Sequence, residues 1–179
     1  MGTPAHLPAH WSLPLNGCLL GPGANLSNAY LAAAQLAGAD FALANLSTAQ
    51  ANGVSFAGDN LSGANMTSMY MSFAIFTGAN VSHADLNKAD MFSTGLACAN
   101  MSHAIMTSTA LEYANFDNAA GGGTDYAKLF GANLTTANLH HAALTGKNPN
   151  VAGIIWLDTI CPDGSNSNTH VHGCFSPLL

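Results

Sequence analysis

Ala24-Asn25-Leu26-Ser27-Asn28 opens a run in which a five-residue phrase keeps returning: Ala-Tyr-Leu-Ala-Ala, Ala-Gln-Leu-Ala-Gly, Ala-Asp-Phe-Ala-Leu and Ala-Asn-Leu-Ser-Thr follow, ending at Thr48. A large apolar residue recurs at every fifth position from Leu26 through Phe116, with Ala51 the one break in that central series. Two places before each stands a small residue, usually alanine. Such regularity decides the architecture before any reading of secondary structure. On an α-helix a five-residue step turns the side chain by about 140°, so the apolar residues would wind around the whole surface. On a straight strand a step of five reverses the face each time. Neither arrangement buries them together.

A chain that bends by about 90° after each unit does, because residues two apart share one face of an extended segment. The alanine and the leucine of each unit then point inward and the Asn or Asp between them points out. Four units close a coil of about twenty residues, and stacked coils join through backbone hydrogen bonds about 4.8 Å apart. The phrase resembles Ala-(Asp/Asn)-Leu-X-X, the signature of the pentapeptide-repeat family, over residues 24–146. The resemblance implies an all-β fold, a right-handed quadrilateral β-helix.

Three details test that reading. Ala49 and Ala51 leave one wall short of volume, and Met69 and Met71, twenty residues on, are expected to fill the space beside them. Asp59 falls at an interior position that is almost always small and neutral. A buried carboxylate needs donors, so it either takes backbone amides at a corner or marks a bulge. The phase also slips: after Phe116 the next secure centres are Leu129, Leu134, Leu139 and Leu144, and the slip lies within 119–126, where Gly121, Gly122 and Gly123 suit a bulged or looped-out corner.

A solenoid must cover its ends. Residues 1–23 form a lead-in with Pro4, Pro8, Pro14 and Pro22, expected to be extended or disordered at first, with Trp11, Leu13, Leu15 and the stretch from Cys18 capping the first coil. It has no basic n-region followed by an apolar h-region, so an exported form is expected to have lost its signal already. Residues 147–179 form the other cap, with Val151–Trp156 as bulky cover. From Trp156 the chain runs to Cys161-Pro162-Asp163-Gly164-Ser165, an Asn/Ser loop and Cys174. This is similar to the tail of exported bacterial pentapeptide-repeat proteins, Trp-X-X-X-X-Cys-Pro-Asp-Gly-(Ser/Thr) and a second Cys, with His170 and His172 as local additions. That similarity implies a Cys161–Cys174 disulfide and an oxidising compartment, secreted or cell envelope, with two thiols and a cytoplasmic protein as the alternative. Cys18 and Cys98 lie many coils apart and are expected to stay thiols.

Composition narrows the function. The chain is 49% hydrophobic but only 7% charged, with nine acids against three bases and a net charge of −6. Three lysines cannot track a phosphate backbone, so nucleic acid is not an expected partner. No run of about eighteen apolar residues occurs, so no membrane span is expected. No nucleophile, paired carboxylates or phosphate loop converge, so neither an enzyme nor a cofactor is expected.

The surface candidates are few. His83 and His103 are one coil apart and should stack about 5 Å from each other, as weak candidates for a shared metal; Gly63 and Gly123 flank them on the same row. His140-His141 is read as incidental. Tyr30, Tyr70, Phe73, Phe92 and Tyr113 point outward on one side and form a possible interaction wall. Ser27, Ser47, Thr67 and Thr107 make a ladder expected to bond between coils. The reading is a non-enzymatic structural or binding module of an exported bacterial protein, a monomer or weak homodimer with an unidentified protein or surface partner. The alternative comes from family members that mimic DNA and regulate a type II topoisomerase in the cytosol. Here the acids are few and the tail lacks the apolar helix through which those proteins dimerise. Lattice binding, as to ice, is a third and weaker idea.

Overall fold

The computed structural model describes residues 12–15, 18–31, 36, 38–116, 127, 129–142, 152–169 and 174, with backbone alone at 12–15, 18 and 19. The unit Ala44–Thr48 shows why the five-residue phrase folds as it does. The Ala44 amide closes a turn on the Phe41 carbonyl (3.0 Å), Asn45 donates back to Ala24 (2.8 Å), and Leu46 donates forward to Asn65 (2.7 Å). Thr48 donates forward to Thr67 (2.9 Å). The one amide left over, Ser47, donates to the Asn45 side-chain oxygen (3.1 Å). All five backbone donors are thereby satisfied, as a buried backbone demands. The second-position Asn or Asp is an Asx turn that supplies the acceptor the ladder cannot.

The fifth residue of each unit makes the corner with a positive φ. Glycine fills it at Gly58 and Gly78, but side chains as bulky as Leu43 (φ 60°), Phe73 (62°), His83 (59°) and Tyr113 (59°) also adopt it. The left-handed region is unfavourable for these residues. The corner amide bonds forward in each case, as Phe73 does to Phe92 (2.8 Å), and this holds the conformation in place.

Parallel bridges tie residues twenty apart along four columns: Asn25–Asn45–Asn65–Asp85, Tyr30–Gln50–Tyr70–Asp90, Ser55–Ile75–Gly95–Asn115 and Asp40–Asn60–Asn80–Asn100. Inside, Phe41, Phe56, Phe76 and Phe116 are fully buried, with Phe56 and Phe76 stacked at 4.9 Å. Burial of each such side chain stabilises by roughly 1.5–3 kcal/mol. Ala49, Ala51, Met69 and Met71 are likewise all fully buried.

The register change is legible in the bridges. Gly95 still pairs twenty residues on with Asn115, but Ile105 pairs with Asn133 and Ala110 with Asn138, each twenty-eight residues on. Eight extra residues therefore enter the count between Phe116 and Ala127, and both columns described across the gap shift by the same amount; the glycine-rich stretch 119–126 itself lies outside the described residues. Bridges also continue past residue 146. Asn133 pairs with Ile155 and Asn138 with Ile160, so residues 152–161 add part of another coil where the five-residue phrase is no longer recognisable. Ile154 and Trp156 pack on the core there, while Val151 lies outside the described residues.

At the start, β1 (Ser12–Leu15) and β2 (Cys18–Leu20) pair antiparallel, with Ser12 opposite Leu20 and Leu15 opposite Cys18. Trp11 and the side chains of Leu13, Leu15 and Cys18, assigned above to the cap, lie outside what is described. At the other end the chain folds back: Asn166 bridges Ile160 antiparallel, and a short 3-10 helix spans Ser167–Thr169.

Candidate interaction surface

The five outward aromatics do not form one row. Tyr30 and Tyr70 occupy a bridge column, two coils apart with Gln50 between them, and are 66% and 51% exposed. Phe73, Phe92 and Tyr113 lie at the adjoining corner, where they touch in sequence. Phe73 meets Phe92 edge to face at 5.5 Å, and Phe92 meets Tyr113 in the same way at 5.3 Å. Edge-to-face packing of this kind lets rings stay at the surface while contributing about 0.5–1.5 kcal/mol per pair.

The corner continues further than the sequence suggested. Tyr113 stacks on His141 (4.9 Å), and His141 stacks on His140 (3.7 Å). His140 in turn lies against the tail, close to where a Cβ on Gly164 would sit. Counting by twenty from Tyr113 leads to Asn133 and misses His141; the eight inserted residues conceal the row. Glu112 belongs to the same corner and accepts a hydrogen bond from the Asn138 amide (2.5 Å).

A second corner carries the other histidine pair. His83 and His103 stack face to face, 4.9 Å apart and 13° from parallel. The next residue in that row is Gly131, not Gly123, because of the same insertion; Gly123 lies outside the described residues. Gly131 is there for a reason. The His103 ring covers it so closely that a Cβ would approach Nδ1 to 2.6 Å, and Phe130 meets the same ring edge to face at 5.3 Å. Two parallel rings present their faces to each other rather than converging lone pairs on one ion. Among the described residues no group of three His, Cys, Asp or Glu side chains is placed to hold a metal. His170 and His172 lie outside the described residues.

The hydroxyl ladder is organised differently from expectation. Ser27 and Thr67 turn their hydroxyls back onto Asn25 (2.9 Å) and Asn65 (2.8 Å) of their own units instead of bonding between coils. The second-position side chain is the nearer acceptor, so it wins. Contacts between coils are made one residue later, by Thr48 to Asn28 (2.8 Å) and between Ser108 and Thr136 (2.9 Å), and by the amide ladder Asp40–Asn60–Asn80–Asn100.

The tail closes through a Cys161–Cys174 disulfide with Cα atoms 5.1 Å apart. Cys161 is buried at the position a core leucine would occupy, next to Leu139 in its row. Around it the cap is tied down by Cys161 N–H to the Ser165 carbonyl (2.8 Å), Ser167 N–H to the Thr159 carbonyl (2.8 Å), and a reciprocal Asp158–Asn168 pair. Cys98 carries a half-buried thiol on a corner of small residues.

Asp59 takes the first of its two options. It is 1% exposed, in a coil that keeps its register, and its Oδ1 accepts the Ala39 amide at 2.9 Å. Its Oδ2 is buried without a hydrogen-bond partner. Burial pushes the carboxyl up from 3.8 to about 7, against the smaller opposing pull of the Ala39 and Gly38 amides.

Coils of four five-residue units, closed by left-handed corners and held by an Asx turn wherever the second residue is Asn or Asp, form a pentapeptide-repeat solenoid. The pentapeptide-repeat family model matches residues 23–58 and 60–91 in eight copies, and the fold is the right-handed quadrilateral β-helix of pentapeptide-repeat proteins. The chain is similar to HetL, a pentapeptide-repeat protein involved in heterocyst differentiation regulation in the cyanobacterium Nostoc sp. strain PCC 7120, at 26% identity and a TM-score of 0.61. That likeness covers 81% of this chain and 62% of HetL, so the chain spans under two thirds of that protein. It also resembles a pentapeptide-repeat protein of the Arabidopsis thaliana thylakoid lumen (24% identity, TM-score 0.46, 64% and 70% covered). A third likeness is to Rfr23 of the cyanobacterium Cyanothece 51142 (27%, TM-score 0.34, 68% and 60% covered). No curated protein matches the chain.

Proposed function

We propose that this chain is the non-catalytic binding module of an exported bacterial protein, and that it engages its partner through the wall of Tyr30 and Tyr70 and the adjoining corner of Phe73, Phe92, Tyr113, His141 and His140. The observation that carries the reading is the exposure of large rings on one side of a rigid coil: Tyr30, Tyr70, Phe73 and Tyr113 are all more than half exposed. Apolar rings set in a run on a polar surface mark contact sites. The interior, by contrast, is filled with side chains, which suits a scaffold that works through its outer walls. The Cys161–Cys174 bridge supports the exported part, since such bonds persist in oxidising compartments. Among the described residues no helix is long and apolar enough to cross a membrane.

The test is thiol counting with non-reducing peptide mapping on protein prepared without reductant. A Cys161–Cys174 peptide is the expected result. Cys161 and Cys174 recovered as thiols would overturn the exported reading and return the chain to the cytosol, where the topoisomerase alternative applies and a supercoiling assay decides.

A further inference from the structure

We propose that the column Tyr30–Gln50–Tyr70–Asp90 is a binding track for an extended, uncharged β-1,4-linked glucan chain. The inference rests on the binding-module reading above and names the chemistry of its ligand. Parallel bridges join the four residues in order, so they stand on successive coils of one flat wall. Neighbouring strands lie about 4.8 Å apart, which sets Tyr30 and Tyr70 about 9.6 Å from each other along the axis. That is close to one disaccharide of an extended β-1,4-linked glucan. In such a chain the hydroxyls lie at the edges and the sugar faces are apolar, so two rings one disaccharide apart can each cover the face of every second sugar.

The residues between and beyond the rings fit the edges. Gln50 is exposed and offers both a donor and an acceptor. Asp90 uses Oδ1 to accept the Ser72 hydroxyl (2.8 Å) and the Phe92 amide (3.1 Å), which fixes its carboxylate while Oδ2 has no partner among the described residues. Asp90 is the sole acidic or basic residue in the column Tyr30–Gln50–Tyr70–Asp90–Ala110–Asn138–Ile160, and the column has no lysine or arginine to draw an anionic polymer.

The experiment uses the full chain with its disulfide intact, with cellohexaose in calorimetry and soluble hydroxyethylcellulose in affinity gels. Cellohexaose should bind and the gel should retard the protein. Tyr30→Ala and Tyr70→Ala should each weaken binding by about tenfold or more, a loss of about 1.4 kcal/mol. Tyr70→Phe, which keeps the ring, should bind like the parent, and so should Leu43→Ala, which lies at a different corner. Maltohexaose, whose α-linkages coil, should not bind. An unretarded protein, equal binding of maltohexaose, or tyrosine variants that bind unchanged would overturn the proposal. Peptide mapping of the same preparation separates the two levels: with the disulfide present and glucan ignored, the glucan assignment alone falls, whereas thiols at Cys161 and Cys174 remove the reading beneath it.

Discussion

Asp59→Ala should make this protein more stable at neutral and alkaline pH. The native carboxyl holds its proton up to about pH 7, whereas the unfolded chain releases it near 3.8. Between those values the native state binds more protons than the unfolded state, so stability falls as pH rises through the window and the loss is complete above it. Three powers of ten in proton affinity correspond to about 4 kcal/mol. The substitution itself costs less than that. Ala39 keeps a second acceptor, the Leu36 carbonyl at 2.9 Å, while the Gly38 amide loses its carboxyl partner, and that loss with the small volume removed costs about 1–2 kcal/mol. The net gain expected at pH 8 is therefore about 2–3 kcal/mol, shrinking and then reversing by pH 4. Chemical denaturation of both proteins from pH 4 to 9 reads this directly. If the two stability profiles run parallel across that range, Asp59 does not titrate between the two states and the argument fails.

Met71→Ala should cost roughly 2–5 kcal/mol in chemical denaturation, because it opens a cavity beside Ala51; a loss under about 1 kcal/mol would reject the packing assigned to that wall. Gly131→Ala should destabilise by about 1–2 kcal/mol through its φ of +66° and through displacement of the His103 ring. Adding His103→Ala should recover only the displacement part, and full additivity in thermal melts would show that the ring does not cover the glycine. At the corner residue Lys88 (φ 58°), substitution by Val should lose about 1 kcal/mol or more while Gly should be neutral or gain, a difference that vanishes if the corner relaxes. Opening the Cys161–Cys174 bridge by paired serine substitution should cost about 3 kcal/mol, with protease cleavage appearing first in the tail; cleavage spread evenly along the chain would argue against a local cap.

The coil was legible because its logic is local. Five-residue spacing of Leu26, Leu31, Leu36 and Phe41 leaves one geometry that buries them together, and Asp59 was identified as the anomalous interior group from its place in that count. The disulfide rested instead on likeness of the tail. What the count could not show was spatial adjacency beyond the insertion. His141 is next to Tyr113 and Gly131 is next to His103 only because the pairing across the gap is twenty-eight residues rather than twenty, and a period of twenty applied there names the wrong neighbours. The role of Asn at the second position was also hidden. Pointing outward suggests solubility, whereas Asn45 works inward on its own backbone as the acceptor for Ser47. The continuation of the ladder through Ile155 and Ile160 escaped for a different reason: the final coil keeps the bridges but abandons the residue types that announce them.

The inserted corner also bears on how the chain acquires its structure. In most of the molecule a new coil is laid down by closing a loop of twenty residues onto the coil before it; across the insertion the loop is twenty-eight. Closure entropy grows only with the logarithm of length, so the longer loop adds about 0.3 kcal/mol to the barrier for that step. Growth from either side can therefore cross it almost as fast as any other coil, and the corner can lengthen without dividing the chain into separately folding halves.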